Sequence, residues 1–255
     1  GCRHDPSRNT EFGLPASICR AVIKRPFEFG KEQFVEWVIC FLASFLVGGI
    51  PFGYLTGRLV LKDDIRKHGS GNIGATNVGR VIGWKWGSLV LLLDAIKGLL
   101  PTWLAKIWAD QNLPTASVVH FSVLAGIAAI VGHMYPVYLK LRGGKGVATA
   151  LGVVIVLAPQ AVAVALVAFV LIVVSTKLVA LGSMVAAAAF SVTYFWQAGS
   201  SAWQMAGISL TSFSLLIPGL IVWRHRSNIV RLVSGTEPAF SKPAAQDDET
   251  ADPVS

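Results

Sequence analysis

Apolar residues in this chain come in long blocks. From about residue 36 to residue 223, runs near 20 residues long recur, which is the length of a helix that crosses a bilayer. The blocks fall at roughly 36–60, 86–108, 115–136, 144–158, 160–175, 178–197 and 205–223. Ala158-Pro159-Gln160 splits the apolar region 147–175, because an interior proline breaks a helix. Trp86, Trp103, Trp108, Trp196, Trp203 and Trp223 stand at or near block ends, where interfacial aromatics gather. The pattern predicts an all-α polytopic membrane protein with about seven transmembrane helices. Residues 36–237 form its membrane domain. Residues 1–35 read as a flexible N-terminal extension, and residues 238–255, rich in Pro, Ala, Asp and Ser, read as a disordered tail.

Composition agrees. Of 255 residues, 53% are hydrophobic and 14% charged, where a soluble domain carries about a quarter charged. The net charge of +8 does not indicate nucleic acid, because the cations sit at the ends of apolar blocks. Arg58, Lys62, Arg66, Lys67, Arg80 and Lys85 flank one polar loop; Lys140, Arg142 and Lys145 lie in a second, Lys177 in a third, and Arg224, Arg226 and Arg231 follow the last block. Residues 109–114 and 198–204 contain no Lys or Arg. About seven crossings put every cationic loop on one face, which the positive-inside rule makes cytoplasmic. The N-terminus is then outside and the C-terminus inside, and the polar motif loops converge on the cytoplasmic face. Cys2, Cys19 and Cys40 have neither disulfide nor metal spacing.

Two of these loops are rich in glycine, hydroxyls and cations: Gly69-Ser-Gly-Asn-Ile-Gly-Ala-Thr-Asn-Val-Gly-Arg80, and Gly132-His-Met-Tyr-Pro136 running on to Gly143-Gly-Lys-Gly-Val-Ala-Thr149. Free amides in glycine turns beside a Lys or Arg make a phosphate cradle. Gly69-x-Gly71-x-x-Gly74 also fits the dinucleotide fingerprint, but no strand precedes it. Gly143-Gly144-Lys145-Gly146 lacks the first glycine and the Ser/Thr of a nucleotide-hydrolysing P-loop. Glycines at positions 48, 49 and 126 suit close helix packing. That role explains Ser70, Asn72, Thr76, Asn77 and Arg80 poorly, so this cluster is read as a ligand site.

Several polar residues have two readings. Asp94 and Lys97, three apart within an apolar helix, neutralise each other, since a lone charge at mid-membrane costs roughly 2.5–3.5 kcal/mol. His133 is either an interfacial histidine or part of the site. His225 and Asn228 share a helix face just inside the last span and can bond an oxyanion or hydroxyl; alternatively this helix is solvated, with Arg224, Arg226 and Arg231 on lipid headgroups. Ser183 serves the site or bonds back to its own helix.

Together these stretches resemble the bacterial acyl-phosphate:glycerol-3-phosphate acyltransferase family, commonly called PlsY. The likeness covers about residues 36–237 and rests on four ordered motifs: Gly69–Arg80, Gly132–Thr149, Leu181-Gly-Ser183, and His225-x-x-Asn228-Ile-x-Arg-Leu-x-x-Gly-Thr-Glu237. Leu141 and Ala180 stand where the family usually has Phe and Ser. The resemblance implies a multi-pass enzyme of the bacterial cytoplasmic (inner) membrane. Its reaction moves a fatty acyl group from acyl phosphate to the 1-hydroxyl of glycerol 3-phosphate, giving lysophosphatidic acid and inorganic phosphate. It also implies a soluble phosphate acyltransferase that supplies the donor. Ser70, Lys145, His225 and Asn228 would be catalytic; Gly71, Asn72, Arg80, His133, Gly143, Gly144 and Ser183 would bind substrate.

The residues suit that chemistry. Both substrates carry phosphate, and an acyl phosphate is already activated, so no acyl-enzyme nucleophile is required. No cofactor or metal is implied, since nothing has ligand spacing. None of the histidines at 4, 68, 120, 133 and 225 has an aspartate five positions on, unlike the acyltransferases that use acyl-CoA. The proton acceptor is either His225 or a phosphate oxygen of the donor. The rival functions are a phosphate or organic-anion transporter, which would place its site near the midplane, and a scaffold binding anionic lipid.

Overall fold

The computed structural model describes residues 31–205 and 207–240. The extension expected at 1–35 and the tail expected at 238–255 fall largely outside them. The chain divides into two units, 1–38 and 39–255, and the site lies wholly in the second. Every regular element among the described residues is helical. In order the α-helices are α1 (Lys31–Gly49), α2 (Phe52–Thr56), α3 (Ala75–Val81), α4 (Trp84–Asn112), α5 (Thr115–Met134), α6 (Val147–Leu157), α7 (Pro159–Thr176), α8 (Val179–Ala198), α9 (Ile208–Arg224) and α10 (Arg226–Val233), with short 3₁₀ or π turns between some of them.

Five helical stretches among the described residues are long and apolar enough to cross a membrane, or six if α9 and α10, bent by 58°, are one broken span. The expected count of seven is more than these lengths establish. The difference lies in α6, which has 11 residues. Such a helix is about 17 Å long, against roughly 30 Å of hydrocarbon. The break itself falls where the sequence places it: α6 ends at Leu157 and α7 starts at Pro159, a first-turn position that tolerates a missing N–H.

The α5 helix is the most enclosed, with 61% of its apolar window buried against 17% for α7. Helix α4 lies against α5 and α6, α7 against α8, and α8 against α9. Ile130, Met134, Val153, Phe190 and Phe213 fill the core between them. Close packing accounts for Gly48 and Gly126 as expected: a Cβ would come within 2.1 Å of the Ala129 carbonyl and 2.4 Å of Val153.

Asp94 and Lys97 do pair on α4, at 2.8 Å, with both side chains 2% exposed. Lys97 Nζ also donates to the carbonyl of Ile50 at 2.7 Å. The apolar block 36–60 is interrupted there by Pro51, and the lysine is a second donor to an oxygen outside the helical ladder that also accepts from the Phe52 N–H at 3.1 Å.

Candidate active site

The loop from Ile65 to Gly74 is organised by one side chain, Asn77, which is 2% exposed in the first turns of α3. Its Oδ1 accepts from the Ser70 N–H at 2.8 Å. Its Nδ2 donates to the carbonyls of Asn72 at 2.8 Å and His68 at 3.1 Å. Asn72 in turn accepts from the Gly74 N–H at 2.7 Å through Oδ1, a local turn that starts α3. The left-handed backbone at Gly71, φ +71°, turns the chain between these bonds at little cost for a residue without Cβ. As a result Ser70, Asn72 and Arg80 line one cavity.

The second glycine-rich segment is built differently. The Gly143 N–H donates to the Met134 carbonyl and the Gly144 N–H to the His133 carbonyl, both at 3.2 Å. Their own carbonyls accept from Arg224 Nη2 at 3.0 and 2.7 Å. The expected amide cradle at Gly143 and Gly144 is therefore closed by the protein itself. A Cβ on Gly144 would come within 2.1 Å of His133 Nε2, so that residue is small because a buried ring lies against it. Gly71 and Gly143 line a neighbouring outer pocket with Arg66, Arg142 and Arg224, not the main cavity.

Lys145 emerges beyond this packed corner. Its Nζ donates to Asn228 Oδ1. Asn228 Nδ2 donates to Glu237 Oε1 at 2.7 Å, and Arg231 Nε donates to Glu237 Oε2 at 2.8 Å. Burial lowers the Lys145 pKa to about 8, helped by Arg231, Arg80 and Arg224 and opposed by Glu237. His225, at the bend between α9 and α10, is 2% exposed. Its Nδ1 lies 2.8 Å from the Ile221 carbonyl, which can only accept, so Nδ1 carries the proton and Nε2 is the free acceptor. Burial, then the Lys145 charge, lowers its pKa to about 4. The imidazole is neutral at physiological pH.

The cavity, of about 130 Å³, brings together Ser70, Asn72, Arg80, His133, Lys145, Ser183, His225 and Asn228. On one side its wall is apolar, with Leu91, Phe169 and Val179. An adjoining outer pocket of about 200 Å³ shares Ser70, Asn72 and Lys145 and adds Arg224, Arg226 and Arg231. Ser183 Oγ donates back to Val179 O at 2.9 Å, while its position keeps it on the cavity wall. Deeper in, Asp94 Oδ1, already paired with Lys97, lies 3.7 Å from His133 Nδ1, which is buried without a hydrogen-bond partner among the described residues.

Glu237 had no expected role, Arg224 was expected only on lipid headgroups, and Asn77 was expected among the ligand groups. Glu237 was legible as an acid in an otherwise cationic segment. Arg224 and Arg231, read as headgroup ligands, are committed to Gly143–Gly144 and to Glu237; only Arg226, 4.7 Å over the Trp223 ring, keeps an outward position. No signal in the sequence separates Asn77 from its polar neighbours.

A family model described as glycerol-3-phosphate acyltransferase matches residues 38–235. A glycerol-3-phosphate acyltransferase from Myxococcus xanthus is 48% identical over 199 residues, covering 78% of this chain and 97% of the relative. One from Syntrophotalea carbinolica is 44% identical over 205 residues, covering 80% and 98%. The crystal structure of PlsY (YgiH), an integral membrane glycerol 3-phosphate acyltransferase, superposes in its glycerol 3-phosphate form with a TM-score of 0.71 at 34% identity, covering 81% of this chain and 96% of that one. Its lysophosphatidic acid form gives 0.68 at 33% identity.

Proposed function

Because this chain belongs to the glycerol-3-phosphate acyltransferase family, we propose that its buried cationic cavity is where an acyl phosphate and glycerol 3-phosphate react. The protein is a multi-pass membrane acyltransferase that transfers the fatty acyl group of acyl phosphate to glycerol 3-phosphate, releasing lysophosphatidic acid and inorganic phosphate. One observation carries the site assignment. Ser70, Arg80, Lys145, His225 and Asn228, from three separated segments, meet in a cavity with an apolar wall.

The 1-hydroxyl of glycerol 3-phosphate attacks the acyl carbonyl, the new ester C–O bond forms, and the bond from carbonyl carbon to phosphate oxygen breaks. Lys145 and Ser70 hold the donor's phosphate and stabilise the oxyanion developing at the carbonyl. Arg80, Ser183, His225 and Asn228 position glycerol 3-phosphate. His225 Nε2 accepts the hydroxyl's hydrogen bond and aligns its lone pair. With a pKa near 4 it is a weak base, whereas the departing phosphate gains negative charge as its bond breaks. The proton therefore passes to a phosphate oxygen of the donor. Asn72 orders the loop through Gly74. Gly71, Gly143, Gly144 and His133 set the position of Ser70 and Lys145 without touching substrate. The acyl chain lies against Leu91, Phe169 and Val179. Acyl phosphate reaches this site from a soluble phosphate acyltransferase.

We further propose seven crossings, with the N-terminus outside and the C-terminus in the cytoplasm. The support is the segregation of cationic loops and the position of α6, which starts beside Lys145. The recessed polar loop occupies the thickness that its 11 residues leave uncovered.

The test is phosphate release by the detergent-purified protein given palmitoyl phosphate, with and without glycerol 3-phosphate. Release that depends on glycerol 3-phosphate is expected; its absence in a monodisperse sample overturns the assignment. The partition of roles is tested by Arg80→Ala, which should raise the KM for glycerol 3-phosphate. A change confined to the acyl-phosphate KM would refute it.

A further inference from the structure

Residues 238–240, the start of the expected tail, are fixed across the site. The Phe240 ring lies 4.2 Å from that of Trp84 at the head of α4, centroid to centroid. The Phe240 N–H donates to the Lys177 carbonyl between α7 and α8 at 2.6 Å. Between Glu237 and Phe240, the Pro238 carbonyl accepts from Arg80 Nη2 at 2.8 Å. Trp84 is itself wedged: a Cβ on Gly79 would come within 2.4 Å of its ring. On the other side, the N–H groups of Thr236 and Glu237 donate to the Arg231 carbonyl at 2.8 and 3.1 Å. Four elements are thus tied by one short segment.

The partners are sorted by charge. Glu237 hydrogen-bonds Asn228 and Arg231 rather than Arg80, whose charge it meets only at longer range. Arg80 instead meets a neutral carbonyl. A carboxylate there would neutralise the guanidinium and compete with a phosphate. A carbonyl orients the planar group and leaves its charge intact. Arg80 Nε is buried and has no hydrogen-bond partner among the described residues, and the residue lines the cavity. An unmet charged donor of this kind is costly unless a ligand satisfies it.

We propose that Pro238–Phe240 is a positioning latch for the substrate phosphate. Phe240, packed against Trp84 with the rings tilted by 43°, holds the Pro238 carbonyl on Arg80 Nη2 and so presents the buried Nε–H to glycerol 3-phosphate. The latch rests on the reading of Arg80 given above and extends the functional unit past Glu237.

The experiment is steady-state kinetics of the full chain in detergent, with Phe240→Ala, Phe240→Leu and Phe240→Trp. Phe240→Ala should raise the KM for glycerol 3-phosphate roughly tenfold, the worth of one aligned charged hydrogen bond. Its kcat and its KM for palmitoyl phosphate should stay within about twofold, because only one substrate's ligand is misaligned. Phe240→Trp should restore the KM. In an Arg80→Lys background, Phe240→Ala should add less than about twofold, since both changes act through one group. Phe240→Leu keeps bulk without the ring and is read the same way if the alanine variant fails to fold.

An unchanged KM for glycerol 3-phosphate overturns the latch. So does an equal fall in kcat with both substrates, which a merely structural role produces, or a full additional loss on top of Arg80→Lys. Absence of glycerol 3-phosphate-dependent release by the unaltered protein overturns the acyltransferase assignment, and the latch with it.

Discussion

The two glycine-rich segments look alike as sequence, and the protein uses them in opposite ways. In Gly69–Arg80 a buried amide, Asn77, gathers the backbone of Ser70, Asn72 and His68, so that side chains face the cavity. In Gly143–Gly146 the backbone turns inward. The Gly143 and Gly144 amides bond protein carbonyls, and their carbonyls bond Arg224. Lys145 supplies the side chain that reaches the ligand space. Glycine marks a place where backbone comes close to something; whether that neighbour is a ligand or the protein's own histidine is decided by tertiary contacts.

If the second segment exists to deliver one cation, removing that cation should have the largest effect of any change considered. Lys145→Ala should lower kcat/KM about a thousandfold, as loss of a preorganised charge at a developing oxyanion does. Circular dichroism and monodispersity should be unchanged, because among the described residues the half-buried lysine bonds only Asn228. A fall of less than tenfold would mean that the outer arginines hold the donor instead.

The glycine itself supplies the next test. In Gly144→Ala the new methyl would sit 2.1 Å from His133 Nε2, so the Lys145 corner must move. A displacement near 1 Å costs on the order of a hundredfold in rate. Combining it with His133→Ala should recover part of that loss by making room. A free-amide cradle predicts the reverse: Gly144→Ala alone would be mild, since alanine keeps its N–H. The double variant therefore separates the two uses of glycine directly.

Much of this was legible beforehand. The bilayer-length blocks, the break at Pro159 and the Asp94–Lys97 pair follow from hydropathy, proline chemistry and the cost of a lone charge. So does the meeting of Ser70, Arg80, Lys145, His225 and Asn228, because cationic loops must share a face. The sequence did not reveal hydrogen-bond direction. Nothing in Gly-Gly-Lys-Gly says that its amides are already satisfied, and nothing in Thr76-Asn77 says which side chain turns inward. Those outcomes depend on residues 5 to 81 positions away along the chain. The 11 residues of α6 are too few to establish a span by length, because part of the apolar block read there belongs to the polar loop that precedes the helix.

Asn77→Ala tests the first segment as a scaffold. It removes the acceptor for Ser70 N–H and the donor for Asn72 and His68 carbonyls, leaving buried polar groups unmet at about 1–3 kcal/mol each. Thermal unfolding should shift down by several degrees, and kcat/KM should fall about tenfold through misplacement of Ser70. Ser70→Ala should leave the melting temperature in place, since Asn77 holds the Ser70 backbone rather than its hydroxyl.

The smallest effect, and the one that compares the segments by charge alone, is pH dependence. Lys145 is cationic below its pKa of about 8 and loses its proton above it. The ligand-free enzyme's kcat/KM should therefore decline as pH rises, falling about fourfold between pH 7 and 8.5 for a single group of that pKa. Bound phosphate favours the charged lysine, so kcat should decline at higher pH than kcat/KM. Arg80 keeps its charge throughout this range, and the first segment contributes nothing to the decline. Lys145→Arg should flatten the profile even if its overall rate is lower, because a guanidinium does not titrate there. A decline that persists unchanged in Lys145→Arg would assign the titration to another group and remove the distinction between a segment that supplies one tuned cation and a segment that supplies fixed geometry.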